Sequence, residues 1–215
     1  MNKQLLIFDL DGTLIDSRSD LATAVNLMRA DYGLAPLSAK TISSYIGDGA
    51  HKLVERSLRG IKIDLESALT RTLGYYAEHL LDQTRFYADV ETGLKKLLAC
   101  GHTLAILSNK PGTLSRQIIR ELEAADFFYQ IIGGGDLKNL KPAPDGIYRL
   151  LQQSGISASE SWMIGDHHTD LETAHNAGIK SGFVSYGIGH PDKFSATQTW
   201  PSFAELVKYF CLSSL

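Results

Sequence analysis

The sequence predicts an α/β fold in which a doubly wound parallel sheet is covered by helices. Short apolar segments alternate with helical patterns along most of the chain, and this alternation is typical of parallel strands joined by helices. The strand-like segments are continuously apolar, as Ala105-Ile106-Leu107 illustrates, which is expected of strands buried on both faces. A long helical stretch at residues 15–85 interrupts the alternation. The chain therefore combines a parallel sheet with an all-helical insertion after the first strand.

Five strands and five helices are predicted outside the insertion. The strands are Leu5–Phe8, Thr103–Leu107, Tyr129–Ile132, Trp162–Ile164 and Gly182–Val184. The helices lie near Glu91–Ala99, Thr113–Glu123, Pro144–Gln153, Leu171–Ala177 and Phe203–Phe210. We expect residues 1–14 and 86–215 to form the α/β core domain and residues 15–85 to form a separate helical domain.

Apolar residues recur at helical spacing within the insertion. Leu21, Val25 and Met28 form one such face, and Ser17 and Asp20 before it have the spacing of a capping box. A second helical face consists of Leu65, Leu69, Leu73 and Tyr76. Glycine-containing segments at residues 33–36 and 46–49 separate the predicted helices.

Composition excludes several classes of function. The 215 residues carry 21 basic and 24 acidic side chains, a net charge of −3, and no block of like charges, so a nucleic-acid or membrane-surface partner has no support. No segment approaches the roughly 18 continuous apolar residues of a membrane span. Cys100 and Cys211 lack metal-type spacing and are too few to staple a chain of this size. We therefore expect a cytoplasmic protein in a reducing compartment.

Two carboxylates follow the first predicted strand. Asp9 and Asp11 lie two positions apart and precede Gly12-Thr13 at the carboxyl edge of the sheet, where open α/β folds bind ligands. Close carboxylates repel each other, and a hard divalent cation such as Mg2+ relieves this repulsion. The alternative interpretation is an ordinary turn, in which Asp11 and Gly12 only serve the backbone.

Three further polar clusters follow later strands. They are Ser108-Asn109, Lys141-Pro142 and the segment from Gly165 to Asp170. Taken singly, Ser108 and Asp166 are also typical helix caps, and Lys141 is a typical solvated lysine. Taken together, they suit a phosphate ester. An ionised aspartate attacks phosphorus, a metal and a lysine neutralise the phosphoryl oxygens, and a second carboxylate transfers protons.

These motifs in this order resemble the haloacid dehalogenase superfamily of phosphohydrolases. The DxDGT motif is matched by residues 9–13, the second motif by Ser108, the third by Lys141 and the fourth by Asp166 with Asp170. The resemblance implies a Rossmann-like core, and it implies that the helical insertion is a cap domain. It also implies catalysis through an aspartyl phosphate with Mg2+ as cofactor.

The resemblance assigns a role to each matching residue. Asp9 would be the nucleophile and Asp11 the general acid and base, while Ser108 and Lys141 would bind phosphate with help from the backbone N–H of Asn109. The metal ligands would be Asp9, the backbone carbonyl of Asp11, and Asp166, with Asp170 supporting the site from behind. Gly47, Asp48 and Gly49 would form a specificity loop of the cap.

Several stretches are similar to the phosphoglycolate phosphatases of this superfamily. They include residues 45–50, Leu107-Ser108-Asn109-Lys110 and the segment from Gly134 to Pro144. The implied substrate is a small phosphorylated metabolite, 2-phosphoglycolate, hydrolysed to glycolate and phosphate by a monomer or homodimer. The alternatives are a pyrophosphatase, a phosphomutase similar to β-phosphoglucomutase, or a non-enzymatic module phosphorylated on aspartate.

Some polar residues near these motifs have less definite roles. His167 and His168 depart from the expected fourth motif; paired imidazoles would suit a transition metal, but loop histidines facing solvent or the cap are the expected interpretation. His51, Lys52 and Arg56 are candidates for binding a substrate carboxylate. On a cap helix, such residues are more commonly a solvated face.

Overall fold

A six-stranded parallel sheet forms the centre of the molecule in the computed structural model, which describes residues 3–212. The strands in chain order are β1 (Leu5–Phe8), β2 (Ile15–Asp16), β3 (Arg85–Phe86), β4 (Thr103–Pro111), β5 (Gln130–Gly134), β6 (Ser161–Gly165), β7 (Lys180–Val184) and β8 (Gln198–Trp200). The spatial order of the main sheet is β5-β4-β1-β6-β7-β8. The predicted doubly wound α/β fold is confirmed, and β1 lies at its centre.

Nine α-helices surround the sheet and form the insertion within residues 3–212. They are α1 (Arg18–Asp31), α2 (Ala39–Ser43), α3 (Ala50–Ser57), α4 (Leu65–Glu78), α5 (Val90–Ala99), α6 (Gly112–Glu121), α7 (Asp145–Ser154), α8 (His168–Ala177) and α9 (Phe203–Leu212). Each of the five helices predicted outside the insertion is present, with ends that differ by at most three residues from the prediction. None of these nine helices is long and apolar enough to cross a membrane.

The central strand contributes to two hydrophobic layers. Leu5 and Ile7 pack with α7 and α8 residues on one face, whereas Leu6 and Phe8 join the larger cluster on the other. All four side chains are fully buried. Successive strand residues point to opposite faces, so a run of four apolar residues is what a doubly covered strand requires.

The insertion begins and ends at one point. Ile15 pairs with Phe86 and Asp16 with Arg85 in an antiparallel two-stranded ladder. These two-residue strands were not predicted, because so short a segment has no recognisable period. The ladder holds the two connections between the core and the insertion beside the carboxyl end of β1, where Asp9 and Asp11 lie. We call the helices between these two connections, α1 to α4, the cap.

The predicted capping box at the start of α1 is wrong. Ser17 occupies the N-cap position but makes no side-chain cap bond. Asp20 instead accepts hydrogen bonds from the backbone N–H groups of Gln83, at 3.0 Å, and Thr84, at 2.8 Å. The carboxylate therefore joins the entry to the exit of the insertion, and its partners, 63 and 64 residues away in the sequence, are invisible to a local motif.

Strand β8 was also missed. It is three residues long and lies at the sheet edge, and two of its residues are polar. Trp200 is buried because it packs against Trp162 and Tyr209, with ring centroids 6.0 and 5.3 Å away. Tertiary packing rather than local pattern therefore fixes this strand.

The two cysteines form a disulfide, so the prediction that they do not staple the chain is wrong. Cys100 ends α5 and Cys211 lies in α9, with their Cα atoms 5.8 Å apart. The two helices run in the same direction, with Gly93 beside Phe203 near their starts, and this packing brings together two residues separated by 111 positions at their ends. Spacing along the sequence carries no information about such a pair.

Candidate active site

The predicted functional residues meet at one edge of the sheet. Strands β4 and β6 flank β1 on either side, so Ser108, Asp9 and Asp166 lie at the carboxyl ends of three adjacent strands. Ser108 is inside β4 rather than after it, because that strand continues to Pro111. The buried Lys141 reaches the same edge from the loop before α7.

Asp9 is a buried carboxylate beside a buried ammonium. Lys141 Nζ lies 2.9 Å from Asp9 Oδ1 and donates a 2.6 Å hydrogen bond to Asp170 Oδ1. Burial raises the pKa of Asp9 to about 6, although the charge of Lys141 acts in the opposite direction. The contact with Lys141 is an ion pair without hydrogen-bond geometry, so Asp9 Oδ1 has no hydrogen-bond donor among the described residues.

Asp166 is fixed by three donors. Thr13 Oγ1 donates to its Oδ1 at 2.9 Å, and the backbone N–H groups of Ile188 and Gly189 donate to its Oδ2 at 2.8 Å. Gly12 makes room for this carboxylate, since a Cβ atom there would lie 2.3 Å from Asp166 Oδ2. Burial, and then the negative charge of Asp9, raise the pKa of Asp166 to about 7.

The acidic cluster fits a divalent cation. One carboxylate oxygen from each of Asp9, Asp166 and Asp170 lies within 4.8 Å of the others, and all three residues are buried. Asp170 is already engaged by Lys141 and by the backbone N–H of His167 at 3.1 Å. Three buried carboxylates share one ammonium, Lys141, so the cluster has an excess of negative charge. A hard cation held by Asp9 and Asp166 would offset this excess, with Asp170 orienting the group behind them.

Asp11 has partners of its own. Lys110 Nζ lies 2.8 Å from Oδ1 and 3.0 Å from Oδ2, and Ser17 Oγ donates to Oδ1 at 2.5 Å. Burial lowers the pKa of Lys110, but the Asp11 carboxylate outweighs that effect and the net pKa is raised. Lys110 and Ser17 were not predicted as site residues. For Lys110, the available signal was its position two residues after Ser108.

Ser108 and Asn109 do not cap a helix. The N-cap position of α6 is Pro111, and Ser108 is buried on the wall of the site. Asn109 Nδ2 donates to the carbonyls of Gly47 and Lys141, both at 3.1 Å, and its Oδ1 accepts from Lys141 N at 2.8 Å. The side chain of Asn109 therefore connects strand β4 to the cap and to the loop of Lys141. This role goes beyond the predicted contribution of its backbone N–H.

The predicted specificity loop is divided between two environments. Gly47 and Gly49 line the cavity beside Asp9, and Gly49 has a φ of +89°, which disfavours other residues. Asp48 is turned away and is paired with Arg56. Its carboxylate is therefore already neutralised and does not line the cavity.

The two unexpected histidines lie between core and cap. His167 caps α8, with its Nδ1 2.8 Å from Thr169 Oγ1, and its ring lies 3.1 Å from where a Cβ of Gly47 would be. His168 Nδ1 lies 3.1 Å from Asp192 Oδ2. His167, rather than Asp166, is therefore the cap residue of this helix. A nitrogen of each imidazole lies near Asp48, but Arg56 already balances the charge of that carboxylate.

A narrow cavity of about 50 Å³ joins the acidic cluster to the cap. On its core side lie Asp9, Asp11, Ser108 and Lys110, which we call the core wall. On its cap side lie Ala50, Leu53, Leu73 and Tyr76, which we call the cap wall. The charged side chains that line the cavity are all on the core wall. The core therefore supplies the charged groups, and the inserted helices enclose them.

Comparison with known proteins identifies the family. The model of the haloacid dehalogenase-like hydrolases matches residues 6–184, which is most of the chain. The chain belongs to that family. The predicted membership in this superfamily is confirmed, and with it the prediction of an enzyme, a hydrolase, rather than a passive phosphorylated module.

Named relatives cover nearly the whole chain. A phosphoglycolate phosphatase of Psychrobacter arcticus is 36% identical over 97% of this chain and 96% of its own length. One of Neisseria gonorrhoeae is 38% identical over 91% of this chain and 86% of its own. The crystal structure of a predicted phosphoglycolate phosphatase from Haemophilus somnus superposes with a TM-score of 0.90 at 28% identity, covering 96% of this chain and 97% of that one. The predicted resemblance to phosphoglycolate phosphatases is confirmed.

Proposed function

We propose that this hydrolase is a Mg2+-dependent phosphatase that converts 2-phosphoglycolate to glycolate and phosphate through an aspartyl phosphate on Asp9. The observation that carries the proposal is a buried carboxylate that faces the cavity, pairs with Lys141 at 2.9 Å, and lies within 4.8 Å of carboxylate oxygens of Asp166 and Asp170. The names of the relatives supply the substrate class. The narrow cavity is consistent with a small phosphate ester.

Asp9 attacks phosphorus in the first step. Its carboxylate oxygen forms the new P–O bond while the bond from phosphorus to the glycolate oxygen breaks. Asp11 protonates that leaving oxygen, so glycolate departs as an alcohol. Lys141 and Ser108 bind the transferring phosphoryl oxygens and offset their charge. Asp9, Asp166 and the backbone carbonyl of Asp11 would hold Mg2+, which would supply further positive charge for the phosphoryl group.

Water releases the phosphate in the second step. Asp11, now unprotonated, takes a proton from a water molecule that attacks phosphorus. The bond between phosphorus and the Asp9 oxygen breaks, which regenerates the free carboxylate and inorganic phosphate. The same residue therefore acts first as acid and then as base.

The organisation predicted from the sequence belongs to this proposal. Residues 15–85 act as a cap domain that closes over the core domain of residues 1–14 and 86–215. The monomer or homodimer and the cytoplasmic location stay predictions. The Cys100–Cys211 bond would be unusual in a reducing cytosol, because thiols there are kept reduced.

A substrate panel tests the assignment. Phosphate release would be compared for 2-phosphoglycolate, pyrophosphate, sugar phosphates and nucleotides, with Mg2+ and with a chelator. We expect the highest kcat/KM for 2-phosphoglycolate and no turnover with the chelator. A preference for pyrophosphate would reject the substrate but keep the mechanism. Conversion of glucose 1-phosphate without phosphate release would identify a phosphomutase instead.

A further inference from the structure

A buried lysine of the core wall and a buried tyrosine of the cap wall meet in the cavity. Lys110 comes from β4 in the core and Tyr76 from α4 in the cap, and Lys110 Nζ lies 4.4 Å from the centre of the Tyr76 ring. The side chain of Lys110 is 3% exposed and Tyr76 is 2% exposed. Both residues line the cavity that contains Asp9. The pair therefore joins the core wall to the cap wall.

Tyr76 has an unused polar group. Its buried O–H has no hydrogen-bond acceptor among residues 3–212, because the neighbouring Lys110 ammonium is itself a donor. A buried hydroxyl without a partner carries a desolvation cost, and such groups are rare unless a ligand or water satisfies them. Because Tyr76 lines the cavity, a ligand there is a suitable partner for this O–H.

Lys110 is the one basic side chain among the described residues that line this cavity. The cap residues considered earlier do not reach it: Lys52 pairs with Glu55 at 2.7 Å, and Arg56 pairs with Asp48. His51 is half exposed and faces Glu66. A second anionic group on a ligand in this cavity would therefore pair with Lys110.

We propose that Lys110 and the Tyr76 hydroxyl bind the carboxylate of the substrate. This inference rests on the proposed function, since it takes the substrate to be a phosphorylated hydroxy acid. The phosphoryl group lies at Asp9, and the carboxylate receives a charge-assisted hydrogen bond from Lys110 and an O–H bond from Tyr76. The subsite thus has one donor from the core and one from the cap.

Binding at this subsite also changes the state of Asp11. In the structure, both Asp11 oxygens are within 3.0 Å of Lys110 Nζ. When the Lys110 ammonium turns to the substrate carboxylate, its ion pair with Asp11 weakens. The Asp11 side chain is then free to turn toward the leaving oxygen. A phosphate ester without a carboxylate leaves the Lys110–Asp11 pair intact. Binding of the substrate carboxylate at this subsite therefore frees Asp11 for proton transfer.

The test compares two substrates that differ in this group, 2-phosphoglycolate and ethyl phosphate. Each variant is compared with the wild type on the same substrate, so differences between the leaving groups cancel. We expect Lys110→Met to lower kcat/KM for 2-phosphoglycolate about 100-fold, and Tyr76→Phe to lower it about 5-fold, as is typical of losing a charged and a neutral hydrogen bond. For Lys110→Met, the loss on ethyl phosphate should be at least about 10-fold smaller than the loss on 2-phosphoglycolate, because any effect through Asp11 acts on both substrates alike, and for Tyr76→Phe it should be under about twofold.

Two control variants show that the effect is local. Lys95→Met removes an exposed lysine paired with Glu91, and Tyr75→Phe removes a hydroxyl that bonds to Asp31 outside the cavity. Both should retain wild-type kinetics on both substrates. Binding of 2-phosphoglycolate to Asp9→Asn, with and without Lys110→Met, gives a second readout by calorimetry, and the double variant should bind about 30-fold more weakly.

The possible outcomes separate this subsite from the proposed function. Equal losses on both substrates would overturn carboxylate recognition and leave Lys110 acting only on Asp11. An unchanged kcat/KM for 2-phosphoglycolate in Lys110→Met would also overturn it. A wild-type enzyme that hydrolyses other phosphate esters but not 2-phosphoglycolate would reject the substrate assignment instead.

Discussion

The core wall and the cap wall of the cavity are built from different kinds of contact. The core wall takes its shape from a parallel sheet, in which strand ends fix Asp9, Ser108 and Lys110 relative to each other. The cap wall is mainly apolar, and the cap is joined to the core by side-chain contacts such as that of Asn109 with the Gly47 carbonyl. The charged groups therefore lie on the side that the sheet positions. The apolar enclosure comes from the inserted helices.

The largest effect is expected from removing the nucleophile on the core wall. Asp9→Asn should lower kcat by at least about 10⁴-fold, because an amide does not attack phosphorus. The measurement is phosphate release at saturating 2-phosphoglycolate and Mg2+, with thermal unfolding to verify the fold. Near-normal turnover in a folded variant would contradict the covalent mechanism.

Removing the proton-transfer group should have the next largest effect. Asp11→Asn should lower kcat by about 10²- to 10³-fold, the size expected for losing general acid–base catalysis. Mg2+ binding, followed by calorimetry, should remain, because the proposed ligand from this residue is its backbone carbonyl. Loss of Mg2+ binding would mean that the side chain itself holds the metal.

The contact of Asn109 with the cap should have a smaller effect. Asn109→Ala removes the bonds from its side chain to the carbonyls of Gly47 and Lys141, so the cap closes less firmly. We expect kcat/KM to fall about 10-fold, a loss the size of one or two hydrogen bonds. As a control, His168→Ala on the solvent side of the same interface should change kcat/KM by less than about twofold. Equal losses of kcat/KM in the two variants would contradict a specific role for the contact between Asn109 and Gly47.

The buried carboxylates Asp9 and Asp166 should make stability depend on pH. The pKa values of Asp9 and Asp166 are raised in the folded state, to about 6 and about 7, from 3.8. Stability from these groups is fully present below pH 3.8 and is lost as the pH rises through 6 and 7. Mg2+ should therefore raise the melting temperature by several degrees at pH 8, and less at pH 5. An increase that does not depend on pH would contradict this origin.

The sequence was most informative about the sheet and the residues at its edge. Continuous apolar runs identified five of the six main strands, and Asp9, Ser108, Lys141 and Asp166 all meet where the predicted strands end. Motifs that follow different strands meet at one site, because the carboxyl ends of neighbouring parallel strands lie at the same edge of the sheet.

Contacts between distant residues could not be read from the sequence. Asp20 bonds to Thr84, Lys110 lies against Tyr76, and Cys100 is bonded to Cys211. Each pair depends on how a whole helix or strand is docked, which no local period encodes. The predicted capping box at Ser17 failed for the same reason, since its hydroxyl is used by Asp11 instead.

The most direct test of the central claim is to trap the phosphorylated enzyme. Enzyme mixed with 32P-labelled 2-phosphoglycolate and Mg2+ would be quenched in acid within the first turnover, digested and mapped by mass spectrometry. The mechanism predicts that the label, as an acyl phosphate, is on the peptide that contains Asp9, and that it is absent from Asp9→Asn. Release of phosphate with no label on Asp9 at any time in the first turnover would contradict it.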